Sequence, residues 1–311
     1  MRMQKLVIAV CTRDKETFDG TCAQGLAAQQ KPTGYQCEIL LVENNASATE
    51  SSTTDRIGGL QLHHVIEREL GLVNARNRAL IEAESLGADW LIFVDDDAIP
   101  LENWLCEYAS AIQANPDSYF FHGQIWYRFP HGYSFGFPRD PENVDELSRR
   151  PTKFGCTNLM LHRSVFSTTG YNLKFDAQFS ACGGEDVDYR RQAIANGLAP
   201  KAVPTAVVSE TIGESRTSIS VAIKRHINHG VASITLLKKY GNPKANTVGL
   251  SLQLPKLCIG AVWLALRALF AYATLSKHRL QAFELAMERA SRLSGLVMAL
   301  CGYKGSYYNR T

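Results

Sequence analysis

Three consecutive aspartates, Asp95, Asp96 and Asp97, are the side chains whose type and spacing most clearly indicate chemistry, and they follow the apolar run 91–94. Adjacent carboxylates repel one another, so a fold gains nothing from them unless a cation is shared. The two-residue period of a strand predicts Asp95 and Asp97 on one face and Asp96 on the other. Hard oxygen ligands at a strand end suit Mg²⁺ or Mn²⁺. The alternative is an acidic turn that caps a helix beginning near residue 101.

A second group of carboxylates, Glu185, Asp186 and Asp188, follows the pair Gly183-Gly184. Two glycines before carboxylates suit the close approach of a substrate. A helix N-terminus favours the ionised carboxylate and so lowers its basicity. A general base here therefore needs burial or neighbouring negative charge to raise its pKa. The alternative is that these carboxylates only cap the helix that follows.

Strands and helices alternate over the first hundred residues. Apolar runs predict strands at 5–11, 37–42, 62–66 and 90–94, with helices at 16–30 and 72–86. This order implies a parallel sheet covered on both faces, with ligands bound beyond the carboxyl ends of the strands. The first strand is not followed by a GxGxxG motif, which argues against a dinucleotide fold.

The pattern changes after residue 118. Residues 119–208 are mixed and rich in aromatic residues, glycine and proline, which predicts irregular strands and loops around a pocket. Helices are predicted at 185–196 and 218–240. The turn at 241–243 marks the boundary to a C-terminal module.

Composition and charge narrow the class of protein. The chain has 311 residues, is 45% hydrophobic and carries a net charge of +3, which is too small to argue for nucleic acid binding. Residues 251–311 are more basic, with eight Lys or Arg against two Glu, an excess of six. The eight cysteines are scattered singly without a CxxC pair, so reduced thiols are expected. The N-terminus runs almost directly into a strand, so no secretory signal peptide is expected.

The ordered set of motifs resembles the inverting GT-A glycosyltransferases of family 2, in particular bacterial enzymes that build exopolysaccharide or lipopolysaccharide. The motifs that carry the resemblance are Thr12-Arg13, Glu43-Asn44-Asn45, Gly71 to Asn77, Asp95-Asp96-Asp97 and Gly183 to Asp188. The resemblance covers roughly residues 4–240. It implies an α/β GT-A fold, in which a Rossmann-like, mostly parallel nucleotide-binding sheet (1–118) adjoins a mixed acceptor-side half (119–243). C-terminal amphipathic helices occupy 244–311.

The resemblance also implies roles for the carboxylates. Asp186 is the expected general base, with Glu185 beside it in the site. Asp97 is the expected direct ligand of Mn²⁺ or Mg²⁺, and Asp95 lies nearer the ribose or a metal-bound water. Asp96 helps with either or is a solvated turn carboxylate.

Further residues are expected around the nucleotide sugar. Thr12, Arg13 and Asn45 line the nucleotide pocket, and Glu43 accepts hydrogen bonds from a uracil ring or ribose. The family more often has Asp at the position of Glu43, so the base is less certain. Other expected contacts are Arg76 on the diphosphate or base, Asn77 in support, and Asn158 either beside the donor sugar or buried in a turn. His226 and His229 are either a metal or diphosphate contact or ordinary packing residues.

The C-terminal module is expected to associate with a membrane surface. Residues 257–275 are apolar except for Arg267, whose charge is costly at the centre of a bilayer. Residues 281–300 form a second amphipathic segment. Two basic helices lying in the lipid interface fit this pattern, and a helical hairpin packed on the protein is the alternative. The expected location is the cytoplasmic, inner face of the membrane.

The leading hypothesis is a metal-dependent inverting glycosyltransferase, probably using a UDP-sugar, with a lipid-linked or polysaccharide acceptor. A nucleotidyltransferase is a second hypothesis, but it would carry a basic, glycine-rich loop after the first strand, and residues 11–20 contain none. A glycan-binding scaffold subunit is the third. Loss of the Asp triplet or of the Glu185-Asp186 pair would mark such a scaffold, and both are present.

Overall fold

The computed structural model describes residues 2–48, 56–128, 155–213, 216, 218–241 and 279–306, together with six helical residues between 259 and 269. Contacts divide the chain into two compact units. The first comprises residues 1–128, 145–177 and 185–211, and the second comprises 129–144, 178–184 and 212–311. The predicted domain boundary at residue 243 adjoins a stretch outside the described residues and stays a prediction.

The first unit is built on one mixed sheet. Its strands are β1 (Gln4–Thr12), β2 (Tyr35–Glu43), β3 (Arg56–Ile57), β4 (Leu60–Ile66), β5 (Trp90–Asp95), β6 (Ala98–Pro100), β7 (Phe120–Arg128), β8 (Leu159–His162) and β9 (Lys201–Thr211). They are ordered β3-β4-β2-β1-β5-β8-β7-β9-β6. The neighbours β4, β2, β1 and β5 are parallel, whereas β8 pairs antiparallel with both β5 and β7. The predicted α/β class, with a parallel first half and a mixed second half of the sheet, is confirmed.

Helices cover both faces of this sheet. They are α1 (Lys15–Gly20), α2 (Cys22–Ala27), α3 (Leu72–Ser85), α4 (Trp104–Ala114), α5 (Arg163–Phe166) and α6 (Glu185–Ala195). The alternation of β1 divides its side chains: Leu6 and Ile8 pack with α1, α2 and α4, whereas Val7 and Ala9 pack with α3 and α6. A single helix was predicted at 16–30, but the structure has two, because Thr21 leaves the helical conformation between α1 and α2.

The second unit contains two long helices, α7 (Ile219–Tyr240) and α8 (Arg279–Leu300), which pack together. Close backbone contact requires glycine at two positions. A Cβ on Gly230 would lie 2.3 Å from the Arg292 carbonyl oxygen, and one on Gly295 would lie 1.9 Å from the Ile227 carbonyl oxygen. The second predicted amphipathic segment is therefore a helix packed against α7. Its partner at 257–275 lies largely outside the described residues. Within the described part of the chain, no helix combines the length and the apolar character needed to cross a bilayer.

Candidate active site

The carboxyl ends of β1, β2 and β5 bring three polar residues to one edge of the sheet. β1 lies between β2 and β5, with Thr12 paired to Glu43 and Cys11 paired to Asp95. Thr12 and Glu43 are buried, and the Asp95 side chain is 39% exposed. The structure therefore brings Thr12, Glu43 and Asp95 to the carboxyl edge, as the parallel order predicts.

The aspartate triplet does not follow strand alternation. β5 ends at Asp95, and Asp96 and Asp97 form the turn into β6. The prediction that Asp95 and Asp97 share one strand face is therefore wrong, because the backbone leaves the extended conformation after Asp95. The prediction of a helix beginning near residue 101 is also displaced, since α4 begins at Trp104.

Each of the first two aspartates has a threonine partner. Thr157 Oγ1 hydrogen-bonds Asp95 Oδ2, and Thr12 Oγ1 lies 2.6 Å from Asp96 Oδ2. Burial raises the pKa of Asp96 above its ordinary value, the Thr12 hydrogen bond opposes this rise, and the charge of Asp95 adds to it. A bound cation would reduce the repulsion between the adjacent carboxylates of this turn.

The donor set fits a hard divalent cation that retains open positions. In the described residues, no three or more His, Cys, Asp or Glu are grouped so as to hold a metal. A cation held by Asp97 and Asp95 would complete its shell with water and substrate phosphates, as Mg²⁺ and Mn²⁺ commonly do. The residues present thus fit the expected ion. Asp97 makes contacts of its own within the protein.

Arg76 connects the aspartate triplet to the second carboxylate group. Its Nη1 donates to Glu185 Oε1 at 2.7 Å, and its Nη2 lies 3.8 Å from Asp95 Oδ1. Arg76 and Glu185 are 6% and 4% exposed. The guanidinium also lies 5.7 Å from the centre of the Phe175 ring. Arg76, expected to contact the diphosphate or base, is in this structure the buried link between α3, β5 and α6.

Asp186 has the properties required of a general base. It lies in the first turn of α6, is partly buried, and accepts from the Val187 amide at 2.7 Å. Burial and the adjacent Glu185 charge raise its pKa to about 6, although Arg76 and the amide hydrogen bond oppose the rise. These two causes overcome the effect of the helix N-terminus.

Glu43 has a partner that the sequence analysis did not identify. His64 Nε2 lies 2.9 Å from Glu43 Oε2, with side-chain exposures of 7% and 11%. The neighbouring Asn44 is buried and joins two loops, donating to the Glu67 and Glu69 carbonyls and accepting from the Gly71 amide. The expected ligand Asn45 instead closes a local turn by accepting from the Ser47 amide.

Two asparagines expected near the donor are committed to internal hydrogen bonds. Asn77 donates to the Phe175 carbonyl and accepts from the Phe175 amide, both at 2.9 Å. Asn158 is fully buried in a left-handed conformation, with φ of 69°. Its Oδ1 accepts from Trp104 and Tyr108, and its Nδ2 donates to the Gln124 and Ala206 carbonyls. For Asn158 the alternative of a buried, satisfied turn residue describes the structure.

The remaining expected residues are less central. Arg13 is exposed at the end of β1 and makes contacts within the protein. Arg78 pairs with Glu82, one turn further along α3, at 2.7 Å. His226 and His229 lie in α7 of the second unit with ring centres 5.8 Å apart, and burial lowers the pKa of His226. His226 is therefore a packed side chain, which was the alternative reading.

Sequence reasoning missed Thr157 and His64. The sequence contains a weak indication of each. Thr157 adjoins the Asn158 position that was singled out, and the acidic residues at 38 and 43 of a buried strand require partners. The adjacent His63 and His64 supply them, since His63 Nε2 lies 2.9 Å from Glu38 Oε2.

Comparisons with known proteins agree with this fold. The family model described as "Glycosyl transferase family 2" matches residues 7–173. No curated protein matches the chain. Among solved structures, the mannosyltransferase PcManGT from Pyrobaculum calidifontis in complex with GDP-Man and Mn²⁺ is similar over 96% of this chain and 88% of that chain, with 17% identity and a TM-score of 0.58. S. aureus TarS 1–349 in complex with UDP-GlcNAc is similar over 96% and 92%, with 17% identity and a TM-score of 0.50. At these identities the likeness shows a shared fold.

Proposed function

The chain belongs to glycosyl transferase family 2, and from that premise we propose an inverting enzyme that transfers a sugar from UDP to an acceptor hydroxyl. The observation that carries the proposal is the buried link through Arg76. It joins Asp95, at the edge expected to receive the diphosphate, to Glu185, the neighbour of the expected base. The two halves of a transfer site thus belong to one electrostatic network.

The proposed reaction is a single displacement. The acceptor oxygen attacks the anomeric carbon, its proton passes to an Asp186 carboxylate oxygen, and the bond from that carbon to the diphosphate breaks with its electron pair on the diphosphate. A base with a pKa of about 6 is largely ionised at neutral pH and remains basic enough to accept the proton. Attack opposite to the leaving group inverts the anomeric centre.

A divalent cation, Mn²⁺ or Mg²⁺, is proposed to be held by Asp97 and Asp95. When bound, it would neutralise charge on the leaving diphosphate. Asp96, whose carboxylate is hydrogen-bonded to Thr12, would keep the turn in place. The mannosyltransferase of similar fold was solved with Mn²⁺.

The choice of uracil rests on the His64–Glu43 pair. His64 occupies Oε2 of the carboxylate, and within the described residues it is the hydrogen-bonding partner of that side chain. Uracil offers a single ring N–H, which one remaining carboxylate oxygen can accept. Guanine offers adjacent ring and exocyclic N–H donors, which are best matched by both oxygens of a carboxylate. A carboxylate with one oxygen engaged therefore favours UDP over GDP.

The acceptor is proposed to be a lipid-linked or polysaccharide glycan at the inner face of the cytoplasmic membrane. The charge excess at 251–311 supports this, as do the exposed apolar residues of α8 and its C-terminal end, which include Leu285, Val297 and Leu300. Flotation with vesicles containing anionic lipid, but not with neutral vesicles, is the expected result. Recovery with neither would contradict membrane association, and equal recovery with both would contradict a contribution from the basic charge.

The test of the whole proposal is product analysis. The purified protein, supplied with Mn²⁺, a panel of UDP- and GDP-sugars and bacterial glycolipid acceptors, should release UDP and form one anomer opposite to the donor. Asp186→Asn should bind UDP but lose transfer. Retained anomeric configuration would exclude the inverting mechanism, and nucleotide binding without transfer for any donor would favour a scaffold.

A further inference from the structure

The segment immediately before Glu185 and Asp186 belongs to the second compact unit. Residues 178–184 are grouped there with residues 212–311. Phe179 is fully buried and Cys182 is 1% exposed. They lie in one apolar cluster with Val231, Ala232, Ile234 and Leu236 of α7 and Leu296 and Ala299 of α8. The chain segment that leads into the expected base is therefore packed on the two C-terminal helices.

The last residues of this segment form a tight turn against α7. The Gly183 amide donates to the Phe179 carbonyl at 2.9 Å. Gly183 and Gly184 have φ of 76° and 89°, and a Cβ on Gly184 would lie 3.1 Å from Ala232 Cβ. Two left-handed glycines give a chain little preference of its own. External contacts must therefore hold this turn in one conformation.

The C-terminal tail, residues 302–306 beyond α8, supplies a second contact to the same segment. Gly305 has φ of 99°, and a Cβ added to it would lie 2.8 Å from both Cα and Cβ of Cys182 and 2.9 Å from the Ala181 carbonyl oxygen. The tail backbone is thus packed directly on residues 181–182, and a side chain at position 305 would clash with them.

A buried asparagine fixes the tail in that place. The Ser306 amide donates to Asn228 Oδ1 at 3.0 Å, and Asn228 Nδ2 donates to the Lys224 carbonyl at 2.8 Å. Asn228 is fully buried in α7. A buried amide with both polar ends satisfied is a directional contact that would be costly to leave unmade.

We propose that Gly305 and Ser306, locked by Asn228, are a brace that positions segment 178–184 and, through the peptide bond from Gly184 to Glu185, the general base Asp186. The proposal rests on the proposed function. Gly305, Ser306 and Asn228 then act as positioning residues, whether or not the C-terminal helices also contact a membrane. Misplacing a reacting group by about 1 Å costs on the order of 100-fold in rate.

Two matched glycine variants test the brace. Gly302 and Gly305 have φ of 94° and 99°, but a Cβ on Gly302 would meet nothing within 4 Å. Asparagine tolerates this conformation better than other residues with a side chain. Gly305→Asn should lower kcat about 10- to 100-fold with donor KM changed less than about twofold, whereas Gly302→Asn should leave both unchanged. Equal effects of the two variants, or normal kcat in Gly305→Asn, would overturn the proposal.

A second pair of variants tests the hydrogen bond from Ser306 to Asn228 without adding bulk at Cys182. Ser306→Pro deletes the amide donor to Asn228, and Ser306→Ala keeps it. Amide hydrogen exchange across residues 179–184 should accelerate at least about 10-fold in Ser306→Pro and Gly305→Asn, with unchanged exchange in their controls. Unchanged exchange in all four proteins would overturn the brace even if no sugar were transferred. Failure of transfer by the unaltered protein would instead count against the proposed function.

Discussion

Arg76 and Glu185 form a buried ion pair, with Nη1 2.7 Å from Oε1 and side-chain exposures of 7% and 5%. They are separated by 109 residues in the chain. A buried pair has to offset the desolvation of both charges. Its position beside Asp186, whose pKa the Arg76 charge lowers and the Glu185 charge raises, makes it a regulator of the base as well as a structural link.

Breaking this pair should destabilise the fold strongly. Arg76→Met leaves Glu185 buried without its cation, so the free energy of unfolding should fall by about 3–5 kcal/mol. Urea denaturation measures the change. Arg78→Met on the same helix breaks a partly exposed pair with Glu82 and should cost about 1 kcal/mol or less. Equal losses in the two variants would contradict the assignment of the buried link.

Transfer should depend on the ionisation of Asp186. Because burial and Glu185 raise its pKa to about 6, the base is mostly protonated at pH 5 and mostly ionised at pH 7. The rate constant kcat/KM should therefore rise with pH, by nearly tenfold per unit well below pH 6, and level off above pH 7. A profile that is flat between pH 5 and 8 would exclude Asp186 as the base. Asp186→Asn should lower kcat by about 10²- to 10⁴-fold.

Metal-dependent nucleotide binding should require Asp97. Mn²⁺ should increase UDP affinity in the unaltered protein, and EDTA should abolish the increase. Asp97→Ala should bind UDP equally weakly with and without Mn²⁺, while Asp117→Ala, at an exposed position, should behave as the unaltered protein. Calorimetric titration gives the affinities. A full Mn²⁺ response in Asp97→Ala would reassign the metal ligand.

His64 should control the choice of base through Glu43. His64→Phe frees the second carboxylate oxygen for the paired N–H donors of guanine, so GDP affinity should rise about 3- to 10-fold, and the preference for UDP over GDP should narrow. His63→Phe is the matched control, because His63 makes the same 2.9 Å contact but to Glu38. Competition binding with UDP and GDP measures both. An unchanged preference in His64→Phe would remove Glu43 from the base pocket.

The nucleotide half could be predicted from the sequence because its signals are local. The apolar runs of β1, β2, β4 and β5 and the polar residues at their ends follow directly from period and order. The split between α1 and α2 was not predicted, although Gly20 directly precedes Thr21, because a single glycine is tolerated within a helical pattern. The strand alternation expected for Asp95 to Asp97 failed because aspartate favours turns over strands.

The asparagines show why side-chain roles were harder to predict. Asn77 and Asn158 have the polarity expected of ligand contacts, but their partners come from 98 residues and about 50 residues away in the chain. Only the folded chain reveals that Phe175 or Trp104 provides them. The contact of His64 with Glu43 is hidden for the same reason, since it depends on the register of β2 and β4.

Asn158 should prove to be a structural residue. Asn158→Ala would leave the Trp104 indole N–H and the Gln124 and Ala206 carbonyls without their present partner in a fully buried site. Each such loss costs about 1–3 kcal/mol, so the free energy of unfolding should fall by at least about 3 kcal/mol. The exposed Asn196, whose side chain donates to the Gln192 carbonyl one turn earlier, provides the control Asn196→Ala, expected to change stability by about 0.5 kcal/mol or less.

The two roles expected for Asn158 can be separated by comparing stability with donor affinity. If its side chain serves the fold, the folded fraction of Asn158→Ala at low temperature should keep the donor KM of the unaltered protein within about threefold, since none of its polar atoms is left to bind a sugar. Denaturant titration and donor saturation curves on the same preparation decide the question. Normal stability combined with a large rise in donor KM would instead place Asn158 beside the donor sugar.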